Sequence, residues 1–400
     1  MKKIENANAN AMSLIDRLVD WDSSLTQRKE FIKLLKSEKK LKIKYGVDLT
    51  APTLHLGHAV NLQVMRVLQN MGHEVQFLSG TFTTRIGDPT GKNKTRDTVS
   101  LNNILDNKKL FLDQVAMVLD TNKKVFSQHD NSDWFLKMSI IDFFGLLKEV
   151  THAQLIQRDM FQARIKNEEP IAMTEMMYPI LQGWDSVELE SDLTIVGSDQ
   201  LFNEKMGRLF QSRCNQKPQA IITTRITPGL DGGPKQSKSI GNYVGLAHSP
   251  FEKFSKTMLL SDELIPLWLE VYTLASQEEI DSCLNGFQND PLFWKEKLAW
   301  LIVERFHGNK EADNSRKRFH DERLGDADSK DIDEHDVSGK PLMLTIASIF
   351  EESNSWARQM VVSGAVRINN EKVDDINYVL LSGDSVRVGK KKAGKIFLVS

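Results

Sequence analysis

A strand, helix, strand pattern between residues 42 and 80 is the feature that most limits how this chain can fold. The runs KIKYGVD (42–48) and HEVQFLSG (73–80) have the composition of strands. Between them, Val60, Val64 and Val67 recur at helical spacing, together with Leu68 and Met71. Two strands joined by a helix indicate parallel pairing, so the sequence predicts an α/β fold with helices on the faces of a parallel sheet.

Changes in sequence character divide the chain into four parts. A glycine-rich loop at 227–242 separates the α/β region from a helical one, and residues 311–340 hold many charges and almost nothing apolar, which is typical of a linker. The end of the chain has the pattern of two short helices followed by strands around the basic run Lys390 to Lys392. The predicted boundaries are 1–225 for the N-terminal helices and α/β region, 226–310 for the helical part, 311–340 for the linker and 341–400 for the last domain.

Composition excludes several classes of protein. Lysine and arginine number 52 against 54 aspartates and glutamates, a formal charge of −2, so any nucleic-acid binding must be local. Cys214 and Cys283 lie far apart, which supports neither a disulfide framework nor a zinc site. The N-terminus lacks the apolar core of a signal peptide, and no run reaches the roughly 18 apolar residues of a membrane span. A cytoplasmic protein with no membrane partner and no metal site is expected.

The segment TLHLGHAV (53–60) carries two histidines where the first strand gives way to the helix. His55 and His58 are open to three interpretations: a metal pair, a locally hydrogen-bonded helix cap, or a grip on phosphate. A helix N-terminus offers unpaired N–H groups and the positive end of a dipole to phosphate. Gly57 between the histidines would let a nucleoside lie against the backbone.

A second motif, KQSKS (235–239), favours the phosphate interpretation. Lys235 and Lys238 are separated by small or polar residues on a glycine-rich loop, which can wrap a triphosphate and stabilise charge as pyrophosphate leaves. An isolated basic run of this kind is typically solvated surface. Its occurrence together with the histidine motif, in this order, points to a nucleotide site.

These motifs resemble the His-Ile-Gly-His and Lys-Met-Ser-Lys-Ser signatures of class I aminoacyl-tRNA synthetases. More narrowly, nearly the whole chain resembles the bacterial tyrosyl-tRNA synthetases: IGDPTGKNKTR (86–96), YPILQGWDS (178–186) and VGSDQLFN (196–203) match further family motifs in order. Residues 341–400 resemble the S4-type RNA-binding module. The resemblance implies a Rossmann-like catalytic domain with a parallel sheet, a helical domain and a small α+β S4-like domain.

The resemblance implies a ligase that activates tyrosine with ATP to tyrosyl-adenylate and transfers it to the 3′ end of tRNA(Tyr). Mg²⁺ is expected with ATP, and a homodimer is expected, with the apolar segment 140–155 as its interface. Two alternatives stay open. One is a synthetase-like paralogue that activates a modified tyrosine or another amino acid. The other is a non-catalytic RNA-binding regulatory protein, against which the intact histidine and lysine motifs argue.

The resemblance also implies a role for individual residues. Those expected in catalysis are Thr50, His55, His58, Lys92, Arg96, Lys235 and Lys238, of which His58 is expected nearer the ribose and the others on the phosphates. Those expected to bind the rest of ATP are Gly57, Gly197, Asp199, Ser237 and Ser239. Those expected to bind the amino acid are Asp48, Thr83, Asp88, Tyr178, Gln182, Asp185 and Gln200. Those expected to bind RNA are Arg358, Arg367, Lys372, Arg387 and Lys390.

The spacing of three amino-acid-binding candidates has a local logic. Tyr178, Gln182 and Asp185 stand at i, i+4 and i+7, so they share one helical face. Asp185 is the expected acceptor for a substrate hydroxyl. A site built to bind a hydroxyl rejects the analogue that lacks it, and tyrosyl-tRNA synthetases are themselves the established example.

Several positions depart from the family pattern. Leu49 replaces a usual proline, and Thr84 and Arg85 stand where small or apolar residues are usual. Trp184 replaces a usual tyrosine, and Val196 replaces a glycine. Gln236 replaces the methionine of the KQSKS segment (235–239), which is called the lysine loop below. Three roles are open to Arg85: a surface side chain, a partner for a local carboxylate, or recognition of an anionic substrate. Trp184 points about 100° away from Asp185, which favours core packing. These departures leave the amino-acid specificity open.

Overall fold

The structure is a computed structural model of the chain. It describes residues 2–37, 39–50, 52–89, 100–233, 235–237, 240–324, 333–335, 337, 339–350, 352–369, 371–381, 384–389 and 395–399. The chain divides into two units, Met1–Asn309 and Lys310–Ser400.

A six-stranded sheet organises the first unit, in the order β1-β6-β5-β2-β3-β4. All neighbouring strands pair in parallel except β1 and β6. The strands are β1 (Val19–Asp20), β2 (Lys42–Val47), β3 (Glu74–Ser79), β4 (Phe126–Asp130), β5 (Leu193–Gly197) and β6 (Ala220–Thr224). The predicted parallel sheet is confirmed, and so are strands at 42–48, 73–80 and 193–197.

Helices surround this sheet and build the rest of the first unit. They are α1 (Lys2–Leu18), α2 (Arg28–Leu35), α3 (Leu56–Asn70), α4 (Thr81–Ile86), α5 (Leu101–Ala116), α6 (Ser132–Phe135), α7 (Ile140–Leu147), α8 (His152–Ile156), α9 (Asp159–Lys166), α10 (Met173–Glu188), α11 (Leu201–Arg213), α12 (Pro250–Thr257), α13 (Ile265–Tyr272), α14 (Gln277–Gly286) and α15 (Pro291–His307). Short 3-10 helices occupy Ser198–Gln200 and Asp262–Leu264. On α3, Val60, Val64, Val67 and Leu68 are buried in the main core, as their spacing predicts.

The strand order determines where a site can form. The chain runs from β2 outward to β3 and β4, then returns to place β5 on the other side of β2. In parallel α/β sheets, ligands bind outside the carboxyl ends of the strands at such a reversal. The ends of β2 and β5 therefore mark the expected site.

The second unit contains a smaller sheet in the order β7-β11-β10-β8-β9. Its elements are α17 (Leu342–Ile349), α18 (Asn354–Val362), β7 (Asp333–His335), β8 (Val366–Ile368), β9 (Glu371–Lys372), β10 (Ser385–Val388) and β11 (Lys395–Val399). It has its own core, which includes Leu342, Ile346 and Val386. This confirms two short helices followed by strands.

Helix α16 (Asn309–Leu324) covers the start of the second unit and the first part of the predicted linker at 311–340. On it, Arg318 and Glu322 form an i, i+4 ion pair at 2.8 Å, as is common on exposed helical faces. Part of the charged composition there therefore belongs to a helix. Among the helices described, none is both long enough and apolar enough to cross a membrane.

Candidate active site

A cavity of about 390 Å³ opens at the carboxyl ends of β2, β3, β5 and β6. It brings together most of the residues that the sequence singled out: Asp48, Thr50, His55, Gly57, His58, Thr83, Asp88, Tyr178, Gln182, Asp185, Gly197, Asp199, Gln200 and Lys235. Lys92, Arg96, Lys238, Ser239 and Lys390 lie outside the described residues. Ser237 lies on the lysine loop, where its backbone N–H donates to Asn242 Oδ1 at 2.8 Å.

The N-terminus of α3 is capped by the two histidines. His55 is the N-cap, and its Nδ1 accepts from the Gly57 N–H at 3.2 Å, while His58 Nδ1 accepts from the His55 N–H at 3.3 Å. A Cβ at Gly57 would stand 3.0 Å from the His55 ring, so glycine lets that ring fold back over the helix. Of the three interpretations of the histidines, the locally hydrogen-bonded helix cap is therefore observed. They also line the cavity, which keeps the phosphate interpretation open.

The segment that follows the lysine loop pairs through its backbone with the residues at the start of α3. Leu56 N–H donates to Val244 O at 2.9 Å, and Leu246 N–H donates to Leu54 O at 2.8 Å. This short ladder places the lysine loop beside the first turn of α3, although the two segments are far apart in sequence. Lys235 reaches across the cavity, with its Nζ 3.5 Å from Asp199 Oδ2.

The base of the lysine loop is held by two buried amides. Asn242 donates from Nδ2 to Asp231 Oδ1 at 2.8 Å and accepts from Ser237. Gln236 donates from Nε2 to the Tyr272 hydroxyl at 2.7 Å, a bond that the methionine usual in the family would not make. These contacts fix the loop where it leaves the core, beside the exposed Lys235 that lines the cavity.

Asp199 stands just beyond β5, on the side of the cavity that Lys235 approaches. A Cβ at Gly197 would lie 2.7 Å from Asp199 Oδ1, so glycine makes room for this carboxylate. Asp199 is exposed and acidic, which suits it to accept hydrogen bonds from sugar hydroxyls. Val196, a departure from the family pattern, also lines this wall.

The opposite half of the cavity is lined by a hydrogen-bonded chain of side chains. Asp48, at the end of β2, accepts from the Tyr178 hydroxyl at 3.0 Å and from Thr83 Oγ1 at 2.8 Å. Thr83 Oγ1 in turn accepts from Asn131 Nδ2 at 3.0 Å. Burial and neighbouring carboxylates raise the pKa of Tyr178 well above its usual value, which keeps its hydroxyl protonated as a donor.

A second chain of side chains lines the other wall. Gln182 donates to Glu204 Oε1 at 2.8 Å and accepts from Asn203 at 2.9 Å, while Gln200 donates to Asp88 Oδ2 at 2.8 Å. These bonds fix the amides whose orientation would recognise the backbone of an amino acid.

Asp185 extends the first chain through Asn131 and is a buried residue in the lining of the cavity. Its carboxylate accepts from Trp134 Nε1 at 3.1 Å, and Asn131 Nδ2 lies 3.5 Å away. Burial raises the pKa of Asp185 to about 8, against the lowering effect of the Lys44 ammonium. A polar group of a ligand side chain is thus the natural partner of this carboxyl.

Sequence reasoning missed four residues at this end of the cavity: Lys44, Glu204, Asn131 and Trp134. Lys44 on β2 and Glu204 on α11 form an ion pair at 2.8 Å with both side chains 2% exposed. The available signal was a lysine in the interior of β2, between Ile43 and Tyr45. Asn131 and Trp134 follow β4, whose sequence FSQHD is too polar to be recognised as a strand.

Two departures from the family pattern compensate for each other. The Leu49 N–H, which a proline would lack, donates to Thr84 Oγ1 at 2.8 Å, and Thr84 itself donates to Gly80 O at 2.6 Å. Arg85 is exposed at the end of α4, in agreement with the first of its three possible roles. Trp184 packs edge-on against Phe210, as its direction on the helix favours.

The RNA-binding candidates of the second unit form a row. Arg387, Arg367 and Lys372 are direct partners across β10, β8 and β9, so they share one face of the sheet. Arg358 is exposed on α18. Like charges directly opposite one another on a sheet are unfavourable for stability. In the part of the chain that is described, no group of three or more potential metal ligands occurs.

Comparison with protein families gives two matches. A family described as tRNA synthetases class I (W and Y) matches residues 36–322, and the S4 domain matches residues 350–386. Among individual relatives, a tyrosine--tRNA ligase of Coxiella burnetii is 37% identical over 379 residues, covering 92% of this chain and 94% of that protein. A protein named tyrosine--tRNA ligase 2 of Vibrio parahaemolyticus is 37% identical over 405 residues, covering 99% of both.

Solved structures show the same fold at lower identity. A C-terminally truncated mitochondrial tyrosyl-tRNA synthetase of Aspergillus nidulans superposes with a TM-score of 0.63 at 22% identity, covering 78% of this chain and 93% of that one. The tyrosyl-tRNA synthetase of Archaeoglobus fulgidus, solved with L-tyrosine, gives 0.60 at 20% identity, covering 78% and 99%.

Proposed function

The chain belongs to the class I tRNA synthetases of the W and Y group and is a ligase, and we propose that it activates tyrosine with ATP and transfers it to tRNA(Tyr). The observation that carries this proposal is the single cavity, whose one half has phosphate-binding chemistry and whose other half ends in a buried carboxyl.

ATP occupies the half of the cavity beside α3. The helix N-terminus and His55 lie on the phosphates with Thr50, Lys235 approaches the pyrophosphate, and Asp199 accepts from the ribose. Lys92, Arg96 and Lys238 complete this set by the family resemblance. Mg²⁺ would enter with ATP and neutralise phosphate charge, and it would need few protein carboxylates, since magnesium binds largely to phosphate oxygens and water.

Catalysis by this arrangement is positioning and electrostatic stabilisation. The amino-acid carboxylate attacks the α-phosphorus in line, the bond to the bridging oxygen breaks, and pyrophosphate leaves with the extra charge. Cationic groups placed where this charge develops lower the barrier, because they are oriented before the reaction begins. The tRNA ribose hydroxyl then attacks the acyl carbon and releases AMP.

The amino acid occupies the half lined by the two hydrogen-bonded chains. Asp88, Tyr178 and Gln182 surround its ammonium group, Gln200 lies near its carboxyl group, and Asp185 meets the side-chain hydroxyl at the far end. Thr83 and Asp48 orient Tyr178.

The second unit binds tRNA through the basic row on its sheet. Arg387, Arg367 and Lys372 offer three aligned cations to the phosphate backbone, which suits recognition of RNA by shape. We place the enzyme in the cytoplasm, with its tRNA substrate.

The working enzyme is a homodimer in this proposal. Helix α7 exposes Ile140, Ile141 and Phe144, with 69%, 75% and 54% of their surfaces accessible. Three large apolar side chains on one short helix are typical of a surface that another subunit covers.

Amino-acid-dependent ATP–pyrophosphate exchange across the proteinogenic amino acids tests the activity. Tyrosine should support exchange at a rate at least about a hundredfold above phenylalanine, because a site with buried polar groups rejects the side chain that leaves them unpaired. Exchange with a different amino acid alone would favour the specialised paralogue. Exchange with none would contradict the proposal.

A further inference from the structure

The amino-acid half of the cavity ends in a buried charge cluster of Lys44, Glu204 and Asp185, of which only Asp185 was expected to bind the amino acid. Lys44 lines the cavity from β2, next to Asp185, and its ammonium lies 2.8 Å from Glu204 Oε2. Removing an ammonium and a carboxylate from water is unfavourable unless both are paired and hydrogen-bonded. A simple packing role would be filled more favourably by apolar side chains of the same volume.

The hydrogen bonds of the ammonium leave it partly available. It has three N–H donors, of which two make short bonds, to Glu204 and to Ser186 Oγ at 2.8 Å. The third contact, to the Gln182 carbonyl, is 3.5 Å long and therefore weak. A better acceptor inside the cavity would take this donor.

Asp185 has the complementary capacity. Its carboxyl receives Trp134 on one oxygen and a long contact from Asn131 on the other, while a carboxylate offers about four acceptor positions. A donor from Lys44 beside an acceptor on Asp185 matches one chemical group, a hydroxyl, which accepts and donates through the same oxygen.

We propose that Lys44, held by Glu204, is a specificity-determining residue that donates a hydrogen bond to the side-chain oxygen of the substrate, while Asp185 accepts a hydrogen bond from the same hydroxyl. This inference rests on the proposed function and deepens it. The preferred substrate is an amino acid whose ring carries a hydroxyl. Lys44 recognises the oxygen of that hydroxyl as an acceptor, and Asp185 recognises its O–H as a donor.

Wild-type enzyme alone provides the first test, by ATP–pyrophosphate exchange with tyrosine, phenylalanine and 4-aminophenylalanine. The aromatic amine has nearly the shape of tyrosine and donates well to Asp185, but it accepts poorly because its lone pair is delocalised into the ring. We expect kcat/KM for the amine to be about tenfold or more below that for tyrosine. Equal values would overturn the role of Lys44 and leave tyrosine activation intact, whereas absence of exchange with tyrosine would refute the proposed function itself.

Substitution of Lys44 provides the second test. Lys44→Met keeps the length of the side chain and removes the charge, and Lys44→Met/Glu204→Gln also removes the carboxylate left behind. In whichever variant folds, kcat/KM for tyrosine should fall by about ten- to a hundredfold while that for phenylalanine changes little, and the gap between tyrosine and the amine should close. Equal losses for all three substrates would indicate a structural role and overturn the proposal.

A matched control lies two residues earlier on the same strand. Lys42 pairs with Glu190 at 2.8 Å, but this pair is at the surface, with side chains 40% and 67% exposed. Lys42→Met should leave both substrate ratios unchanged, because surface ion pairs contribute little and Lys42 does not line the cavity as described. A change in the ratios equal to that of Lys44→Met would count against a local effect.

Discussion

At the scale of single residues, Asp185 links binding to stability. The carboxyl is 4% exposed, and its charged form is disfavoured by burial more than it is helped by Lys44 and Trp134. Glu204, on the neighbouring helix, adds a second unfavourable charge. The residue that would recognise a substrate is therefore a liability for folding at high pH.

Asp185→Asn should make the protein more stable relative to wild type as the pH rises. With a pKa near 3.8 when unfolded and about 8 when folded, Asp185 keeps a proton in the native state that the unfolded chain has released. The free energy of unfolding of the wild type therefore falls between about pH 4 and 8, because only the unfolded chain releases the Asp185 proton in this range. The asparagine variant has no such proton and lacks this fall. Urea denaturation at several pH values should show the variant gaining about 1 kcal/mol or more by pH 8.

The activity of the same variant should move in the opposite direction. Above about pH 8, where Asp185 is ionised, Asp185→Asn should reduce kcat/KM for tyrosine by about a hundredfold, since an amide oxygen is a weaker acceptor than a carboxylate. A stability difference that does not depend on pH would contradict the raised pKa.

The motif residues could be predicted because short local sequence motifs identify them. His55, Gly57 and Lys235 belong to runs whose spacing carries meaning, and the cavity contains all three. Lys44 could not be assigned in this way, because its role depends on Glu204 and Asp185, which approach it only after α10 and α11 pack. Burial of a lysine depends on tertiary contacts that composition does not reveal.

At the scale of elements, the long-range pairing of 54–56 with 244–246 is what assembles the nucleotide half of the cavity. The histidine motif and the lysine loop were recognised in the sequence, and the strand, helix, strand unit that carries the histidine motif was predicted. It did not predict β4, and so it missed Asn131 and Trp134, which this strand delivers to Asp185. A polar strand paired on one side only has little hydrophobic signal.

The bond between the turn after β2 and helix α4 should show a coupling energy. Thr84→Val leaves the buried Leu49 N–H without its acceptor, which we expect to destabilise the protein by about 1–3 kcal/mol. Leu49→Pro should cost less in the Thr84→Val background than in wild type, by about 1 kcal/mol or more, because proline has no N–H to satisfy. A double-mutant cycle by chemical denaturation measures this difference.

Leu49→Ala is the matched control for this cycle. It removes a similar amount of buried side chain but keeps the backbone N–H, so its cost should be the same with Thr84 or with valine. Coupling in the alanine cycle as large as in the proline cycle would show that packing, rather than the hydrogen bond, joins the two positions.

At the scale of the whole molecule, the two units are built for different tasks. Each has its own buried apolar core, one around the six-stranded sheet and one around the smaller sheet. The cavity is lined entirely by residues of the first unit among those described. A solved relative with the same fold was studied in a C-terminally truncated form.

A chain that ends after Leu324 should therefore separate the two steps of the reaction. We expect it to keep tyrosine-dependent ATP–pyrophosphate exchange within about twofold of wild type, because the catalytic core remains whole. Charging of tRNA should fall by about tenfold or more, because the phosphate contacts of the basic row are lost. Loss of exchange in a truncated protein that still unfolds cooperatively would contradict the division of labour.

A full-length variant separates the loss of charge from the loss of the domain. Arg367→Gln, Lys372→Gln and Arg387→Gln remove the basic row, Arg358→Gln removes the exposed arginine of α18, and together they leave the core of the second unit in place. Charging by this variant should fall as it does in the truncated chain, and wild-type charging should weaken steeply with added salt while the variant depends on salt less. If the four-glutamine variant aminoacylates tRNA at the wild-type rate, the sheet face that carries Arg387, Arg367 and Lys372 is not the RNA-binding surface. This conclusion would hold even if the truncated chain has lost tRNA aminoacylation.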